Sequence, residues 1–315
     1  MRLDVVVATL DRRELLAKAL DSLLAAPVPA GMEVRVTVAD NGSRDGTAEM
    51  VAERARHTDG RLRLVMEPAR GKSRALNAAL AATDGELVGF VDDDEEIGAG
   101  WYHAVHRAFS DATIDFVGGP YLPRWGSPPP GWLPRGYAGV IGWVEGEARV
   151  QEYGRDYPGM LMGGNAVVRR RVLDRVGPYS TALGPGPGGR LLSCEDEEMY
   201  RRLLDHGARG LYLPELVIHH WVPPERLTRR YYRRWCFWHG VSLGVLDRER
   251  PAPVAYLAGV PRHLFGSAAR GVARWASSLA GARRPPEAFA GELAVWDLAG
   301  YLYGKHVHAH REAAA

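Results

Sequence analysis

Five acids stand in an unbroken row, Asp92-Asp93-Asp94-Glu95-Glu96, directly behind the apolar run Leu87-Val88-Gly89-Phe90-Val91. Adjacent carboxylates repel one another unless a cation sits among them. The run before them has strand character, and in an open α/β sheet ligands bind in the crevice beyond the carboxyl ends of the strands. This spacing points to a bound divalent ion that in turn holds a phosphorylated substrate. Further along, Glu195-Asp196 opens a helical pattern that runs to His206, where acids complement the helix dipole.

The elements that must position these acids follow from hydrophobic periodicity. Leu3 to Thr9 carries Val5-Val6-Val7 and reads as a buried parallel strand. Asp11 is placed to cap a helix over Arg12 to Ala25, whose Leu15, Leu16, Ala19, Leu20 and Leu23 share a face. A second strand, Glu33 to Ala39, ends in the turn Asp40-Asn41-Gly42-Ser43. A helix at 48–56, a strand at 62–66 and a helix from Gly71 to Ala82 lead to the fourth strand, Glu86 to Val91. Strand and helix alternate, which predicts a mostly parallel sheet with helices on both faces. A helix at 100–109 and a strand at 114–118 come next. Residues 120–160, rich in Pro, Gly and Trp, read as irregular. After them come a strand or turn at 160–168, a short helix at 169–176 and the loop Gly184-Pro185-Gly186-Pro187-Gly188-Gly189. The helix of Glu195-Asp196 then leads to a strand at 211–220 interrupted by Pro214. From Pro223 onward the pattern is helical, with Val254 to Leu279 and Glu287 to Tyr303 as the last two helices. There is no internal repeat.

The composition is that of a globular protein: 315 residues, 46% hydrophobic, 25% charged, formal net charge +2. Near-balanced charge gives no reason to expect nucleic acid. Two cysteines, Cys194 and Cys236, form neither a disulfide framework nor a zinc cluster. A spanning helix needs about 20 mostly apolar residues in a row, and none occurs. The first strand is not followed by Gly-x-Gly-x-x-Gly, so a dinucleotide site is disfavoured.

Taken in order, the motifs resemble those of an inverting glycosyltransferase of family 2 with the GT-A fold. They are Val5-Val6-Val7-Ala8-Thr9, Val38-Ala39-Asp40-Asn41-Gly42-Ser43-Arg44-Asp45-Gly46-Thr47, Gly71-Lys72-Ser73-Arg74-Ala75-Leu76-Asn77, Phe90-Val91-Asp92-Asp93-Asp94, Gly163-Gly164-Asn165, Glu195-Asp196 and His219-His220. The resemblance covers roughly residues 1–240 and implies an α/β GT-A domain with a C-terminal helical extension. It implies that Thr9 and Asp40 contact the nucleotide base. Asp92-Asp93-Asp94 matches the Asp-x-Asp element, with Asp92 near the ribose or metal, Asp94 on the metal and Asp93 in support. Mg²⁺ or Mn²⁺ would bridge the diphosphate oxygens of the donor. Asp196 corresponds to the catalytic base, which takes the proton of the acceptor hydroxyl as that oxygen attacks. Glu195 beside it points about 100° away around the helix, so the resemblance assigns it to the substrate rather than to the base role. His220 would complete the metal shell or contact the diphosphate, with His219 pointing the other way. Arg74, with Arg70 and Lys72, would meet phosphate charge. Gly164 and Asn165 would allow close approach of donor sugar or acceptor. Glu95 and Glu96 are expected at the solvent-facing rim.

The expected domains are a catalytic unit over residues 1–222, with nucleotide-binding and acceptor-binding halves meeting near residue 120, and a helical extension over 223–315. Trp125, Trp132 and Trp143 in the irregular insert are candidates for stacking on the acceptor. The Arg/aromatic segment 226–238 and the later helices, through residue 303, resemble interfacial elements. A helical cap or a homodimer face is the alternative. The expected location is cytoplasmic, in contact with the inner face of a membrane. The expected donor is a UDP-sugar; the acceptor is a hydroxyl of a glycan, glycolipid or natural product. Two rival readings stand beside this one. A sugar-1-phosphate nucleotidyltransferase would want a glycine-rich loop where Leu10-Asp11-Arg12-Arg13 stands. A non-catalytic nucleotide-sugar-binding partner would lack acids such as Asp92, Asp94 and Asp196.

Overall fold

A computed structural model describes residues 1–154, 156–186, 191–279 and 286–308. The chain divides into two compact units. One comprises Met1–Arg124, Val144–Pro187 and Glu195–Trp221; the other comprises Trp125–Trp143, Gly188–Cys194 and Val222–Ala315.

The first unit is wound on β1 (Arg2–Thr9), α1 (Arg13–Ala25), β2 (Glu33–Asp40), α2 (Thr47–Ala55), β3 (Leu62–Met66), α3 (Lys72–Ala81) and β4 (Leu87–Phe90). It continues through β5 (Glu95–Ile97), α4 (Trp101–Phe109), β6 (Phe116–Gly118), β7 (Tyr121–Trp125), β8 (Gln151–Tyr153), β9 (Ala166–Arg169), α5 (Arg170–Val176), α6 (Glu195–Asp205), β10 (Gly210–Tyr212) and β11 (Ile218–Val222). The main sheet has the order β3-β2-β1-β4-β9-β6-β10-β8. All pairs among β1 to β4 are parallel; β9 runs antiparallel to both β4 and β6, and β8 antiparallel to β10. Since β10 is parallel to β6, only β9 and β8 oppose the common direction.

Alternation in β1 shows why the sheet must be covered on both sides. Leu3, Val5 and Val7 pack with Leu16, Leu20 and Leu23 of α1 and with Trp101 and Tyr102 of α4. Val6 faces the other way, with Ala75, Leu76 and Ala79 of α3 and Val172 of α5. Each fully buried valine of this kind contributes roughly 1.5–3 kcal/mol. Asp4, an acid inside the strand, is accounted for by its carboxylate, which accepts the amides of Asp84 and Gly85 in the turn ahead of β4.

Three local expectations change. Asp11 does not cap α1; it adopts φ +52° and accepts the Arg44 amide, and the first helical amide, Arg13 N, is capped by Asp45 from the β2–α2 loop. Residues 120–160 are less irregular than their composition suggests, holding β7, β8 and a 3₁₀ turn at Arg135–Ile141. The strand expected at 211–220 is two strands in different sheets, β10 in the main sheet and β11 between β5 and β7. Of the expected loop at 184–189, residues 187–189 lie outside the described residues. Gly184 to Gly186 are described, and Lys72 N donates to Pro185 O at 3.0 Å.

The second unit carries α7 (Arg229–Glu249), the hairpin β12 (Tyr256–Leu257) and β13 (Val260–Pro261), α8 (Arg262–Leu279) and α9 (Pro286–Tyr303). The insert aromatics belong to this unit as packing groups. Trp132 meets Tyr232 and Phe289 edge-on, and Trp125 meets Trp143 in the same way. Where α9 crosses α7 and α8, glycines let the backbones touch. A Cβ on Gly240 would lie 2.1 Å from Asp297 O, and one on Gly271 2.3 Å from Gly291 O.

Candidate active site

The sheet order reverses between β1 and β4: from β1 the chain moves outward to β2 on one side, and β4 lies on the other. Side chains beyond the carboxyl ends of these two strands therefore meet in the crevice where α/β sheets bind ligands. Thr9, the last residue of β1, donates its hydroxyl to Asp93 Oδ2 at 2.8 Å. Arg12, three residues on, bridges Asp93 Oδ1 at 2.8 Å and Asp94 Oδ2 at 3.0 Å. Burial works against the charge of Arg12, yet the carboxylates of Asp93 and Asp94 outweigh it and hold the guanidinium above its ordinary pKa. Burial pushes Asp93 up to about 6 against the pull of Arg12. His220, brought alongside by β11, places Nε2 3.6 Å from Asp94 Oδ2.

Glu95 is a correction to the sequence reading. It is 1% exposed rather than at the rim. The antiparallel pairing of β5 with β11 turns Glu95 inward, opposite His220, and its Oε2 accepts the Asp92 amide at 2.8 Å. Burial, reinforced by Asp92 and Asp94, holds its carboxyl well above the ordinary range. Oxygens of Asp92, Asp94 and Glu95 all lie within 4.8 Å of one another. Glu96 is half-buried and pairs with Arg124.

The second acidic pair is joined to the first by Lys72. Its ammonium lies 2.9 Å from Asp92 Oδ1 and 3.4 Å from Glu195 Oε1. Burial would lower the pKa of Lys72, but Asp92, Asp196 and Glu195 together hold it well above its ordinary value. Lys72 is placed by a bracket from β2: Asn41 Nδ2 donates to Glu67 O and Ala69 O, and Asn41 Oδ1 accepts Gly71 N at 2.7 Å. Asp196, in the first turn of α6, has a buried Oδ1 with no hydrogen-bond partner. Burial first and the charge of Glu195 second push its carboxyl up to about 7, against the pull of Lys72.

The glycines before β9 make room for one acid from each group. A Cβ on Gly163 would sit 1.9 Å from Asp196 Oδ1, and one on Gly164 2.4 Å from Glu95 Oε2. Only residues without a side chain let both carboxylates close on this turn. In all, Arg12 and Lys72 are set against Asp92, Asp93, Asp94, Glu95, Glu195 and Asp196. Hard oxygen donors in such excess suit Mg²⁺ or Mn²⁺.

A family model described as glycosyl transferase family 2 matches residues 4–177, more than half of the chain, from within β1 to just past the end of α5. The chain belongs to this family. It is 26% identical over 253 residues to the succinoglycan biosynthesis protein ExoM of Rhizobium meliloti (strain 1021), covering 79% of this chain and 76% of that protein. It is 30% identical over 218 residues to the succinoglycan biosynthesis protein ExoU of the same organism, covering 65% of this chain and 57% of that protein. Among solved structures it resembles the mannosyltransferase PcManGT from Pyrobaculum calidifontis in complex with GDP-Man and Mn²⁺. The TM-score there is 0.66 at 22% identity, over 97% of this chain and 87% of that one. GalNAc-T7 with UDP, GalNAc and Mn²⁺ follows at TM-score 0.56 and 14% identity, over 82% and 52%. These structural likenesses are of fold, and the fold is GT-A.

Within this glycosyltransferase, the fold gathers Thr9, Asp92, Asp93, Asp94, Gly164, Glu195, Asp196 and His220 around the crevice. Asp40, Asn165 and Arg74 complete the expected set. Asp40 is fully buried, and its carboxylate accepts the amide and hydroxyl of Ser43, closing the turn after β2. Asn165 is fully buried too; its Oδ1 accepts Trp101 Nε1 at 2.8 Å and its Nδ2 donates to Pro120 O and Leu216 O. Its amide ties β9 to neighbouring segments. Arg74 is an exposed residue of α3. Arg12 and Glu95 were missed. The signal for Arg12 was its place directly beyond β1, and for Glu95 its membership of an acidic row that one turn has to fold over.

Proposed function

We propose that this glycosyltransferase moves a sugar from a nucleoside diphosphate donor, UDP-sugar favoured, to an acceptor hydroxyl with inversion at the anomeric carbon. The observation that carries the reading is Asp196. A carboxylate with a buried, unpartnered oxygen and a pKa raised to about 7 is poised to accept a proton near neutral pH. One such base suffices for a direct displacement, in which the acceptor oxygen attacks as the diphosphate leaves. Lys72, shared between Asp92 and Glu195, keeps the base side and the donor side in register and lies where diphosphate charge would collect. Asp92, Asp94 and Glu95 would hold Mg²⁺ or Mn²⁺, with His220 beside Asp94. When bound, the ion supplies Lewis-acid stabilisation of the departing diphosphate. The Mn²⁺ complexes of PcManGT with GDP-Man and of GalNAc-T7 with UDP support a metal-assisted nucleotide-sugar donor.

Calorimetric titration with UDP and with GDP, each with and without Mn²⁺, tests this. Metal-dependent binding of UDP in preference to GDP is expected. Preference for GDP would overturn the choice of base, and absence of metal-dependent binding by either would overturn the donor reading.

A further inference from the structure

The Arg/aromatic start of α7 is spent inside its own unit. Arg233 pairs with Glu292, Arg229 lies over Trp132 and Phe289, Trp235 stacks on His239, and Tyr232 and Cys236 are buried. Helix α8 is different. Its apolar side chains occupy a broad arc centred on Val272, with Phe265, Ala269 and Ala276 within about 60° of it at 100° per residue. Among the described residues, α9 meets α8 backbone to backbone at Gly271, where a Cβ would lie 2.3 Å from Gly291 O, and Ala268 one turn earlier is buried. Val272 at the centre of the arc is 51% exposed, and Trp275 is 41% exposed.

The next sector of the same helix is cationic. Arg262, His263, Gly266 and Arg270 line an open cavity of about 600 Å³ with Val254 and Ala255 from the segment leading into the hairpin. Gly266 leaves space for the guanidinium of Arg270, whose Nη1 would be 3.2 Å from a Cβ there. Val254 in the cavity wall is 42% exposed, and Leu257 of β12 is 57% exposed. Over its 18 residues α8 contains no acid.

From this juxtaposition we propose that α8, with the hairpin before it, is an interfacial element that seats the protein on a bilayer bearing anionic phospholipid. Val272, Trp275 and Leu257 enter the acyl boundary, and the Arg262–Arg270 cavity takes headgroup phosphate. No helix among the described residues is long and apolar enough to cross a membrane, so the contact lies in the interfacial plane. Charge selects the occupant. A second copy would bring another α8, equally without acids, against this cationic sector, whereas an anionic surface pairs with Arg262 and Arg270. The inference stands apart from the donor assignment, because every residue in it lies in the second unit.

The test is flotation of the full chain with vesicles of phosphatidylcholine alone and with phosphatidylglycerol added. Binding is expected only to the anionic vesicles and should weaken with salt. Replacing Arg262→Gln and Arg270→Gln together should weaken it about 30-fold, from the usual contribution of each basic residue near a charged bilayer. Val272→Glu should abolish insertion. All three positions are exposed, and unchanged circular dichroism melting confirms that the variants fold. Lack of anionic-vesicle binding by the parent chain, or equal binding by the Arg variant, would overturn the proposal. So would a dimer in light scattering that Val272→Glu dissociates while vesicle binding is absent. Glycerol 3-phosphate bound in free solution as tightly as vesicles would make the cavity a soluble-phosphate site and overturn it too.

Discussion

Replacing Asp196 by Asn separates the chemistry of the site from its cost to the fold. The wild-type carboxyl titrates near 7 in the folded protein, raised by burial and by Glu195, against about 3.9 in an unfolded chain. A carboxyl whose folded pKa is raised binds its proton more tightly in the native state. It therefore destabilises the fold above the folded pKa, and this penalty is relieved as pH falls from about 7 towards 4. Three pH units set a ceiling of roughly 4 kcal/mol on the penalty at about pH 8. The Asn variant keeps the shape and loses the charge, so it should be more stable than wild type at about pH 8, and that advantage should shrink to near zero at about pH 4. Urea unfolding at both pH values measures this. Glycosyl transfer should meanwhile fall by about 100-fold or more, the usual contribution of a positioned general base, while UDP and Mn²⁺ still bind. Full transfer by the variant would remove Asp196 from the base role. A stability difference that does not vary with pH would refute the account of its burial.

Lys72→Met should leave Asp92, Glu195 and Asp196 without their shared cation and lower stability by roughly 3 kcal/mol at neutral pH. Because Lys72 holds Asp196 down, the acid limb of the pH–rate profile should move to higher pH; an unmoved limb would contradict the linkage. Gly163→Ala, whose methyl would collide with Asp196 Oδ1, should cost about 100-fold in kcat with donor binding kept, as read by steady-state kinetics. Glu95→Gln should weaken Mn²⁺ binding at least about tenfold, and Glu96→Gln should leave it unchanged in calorimetry. Since the raised Glu95 carboxyl must shed its proton to ligate, wild-type Mn²⁺ affinity should climb with pH.

What the sequence by itself determined is what periodicity and local chemistry control. Val5-Val6-Val7 feeding two layers, the alternation of strand and helix to residue 91 and the acids at the end of β4 are properties of neighbours in the chain. The first ninety residues could therefore be read from side-chain order alone. The tertiary structure decided which acids are buried and which residues neutralise them. Glu95 lies inside and Glu96 outside because β5 pairs with a strand more than a hundred residues later. Arg12 reaches Asp93 and Asp94 because β1 and β4 are neighbours in the sheet, and Lys72 spans Asp92 and Glu195 because α3 and α6 cover the same face. Asp40 bonds Ser43 within its own turn, but Asn165 finds its partners Trp101, Pro120 and Leu216 45 to 64 residues away. A buried polar group must be satisfied by whatever the fold brings to it, and that partner is set by long-range pairing, which no window of sequence contains.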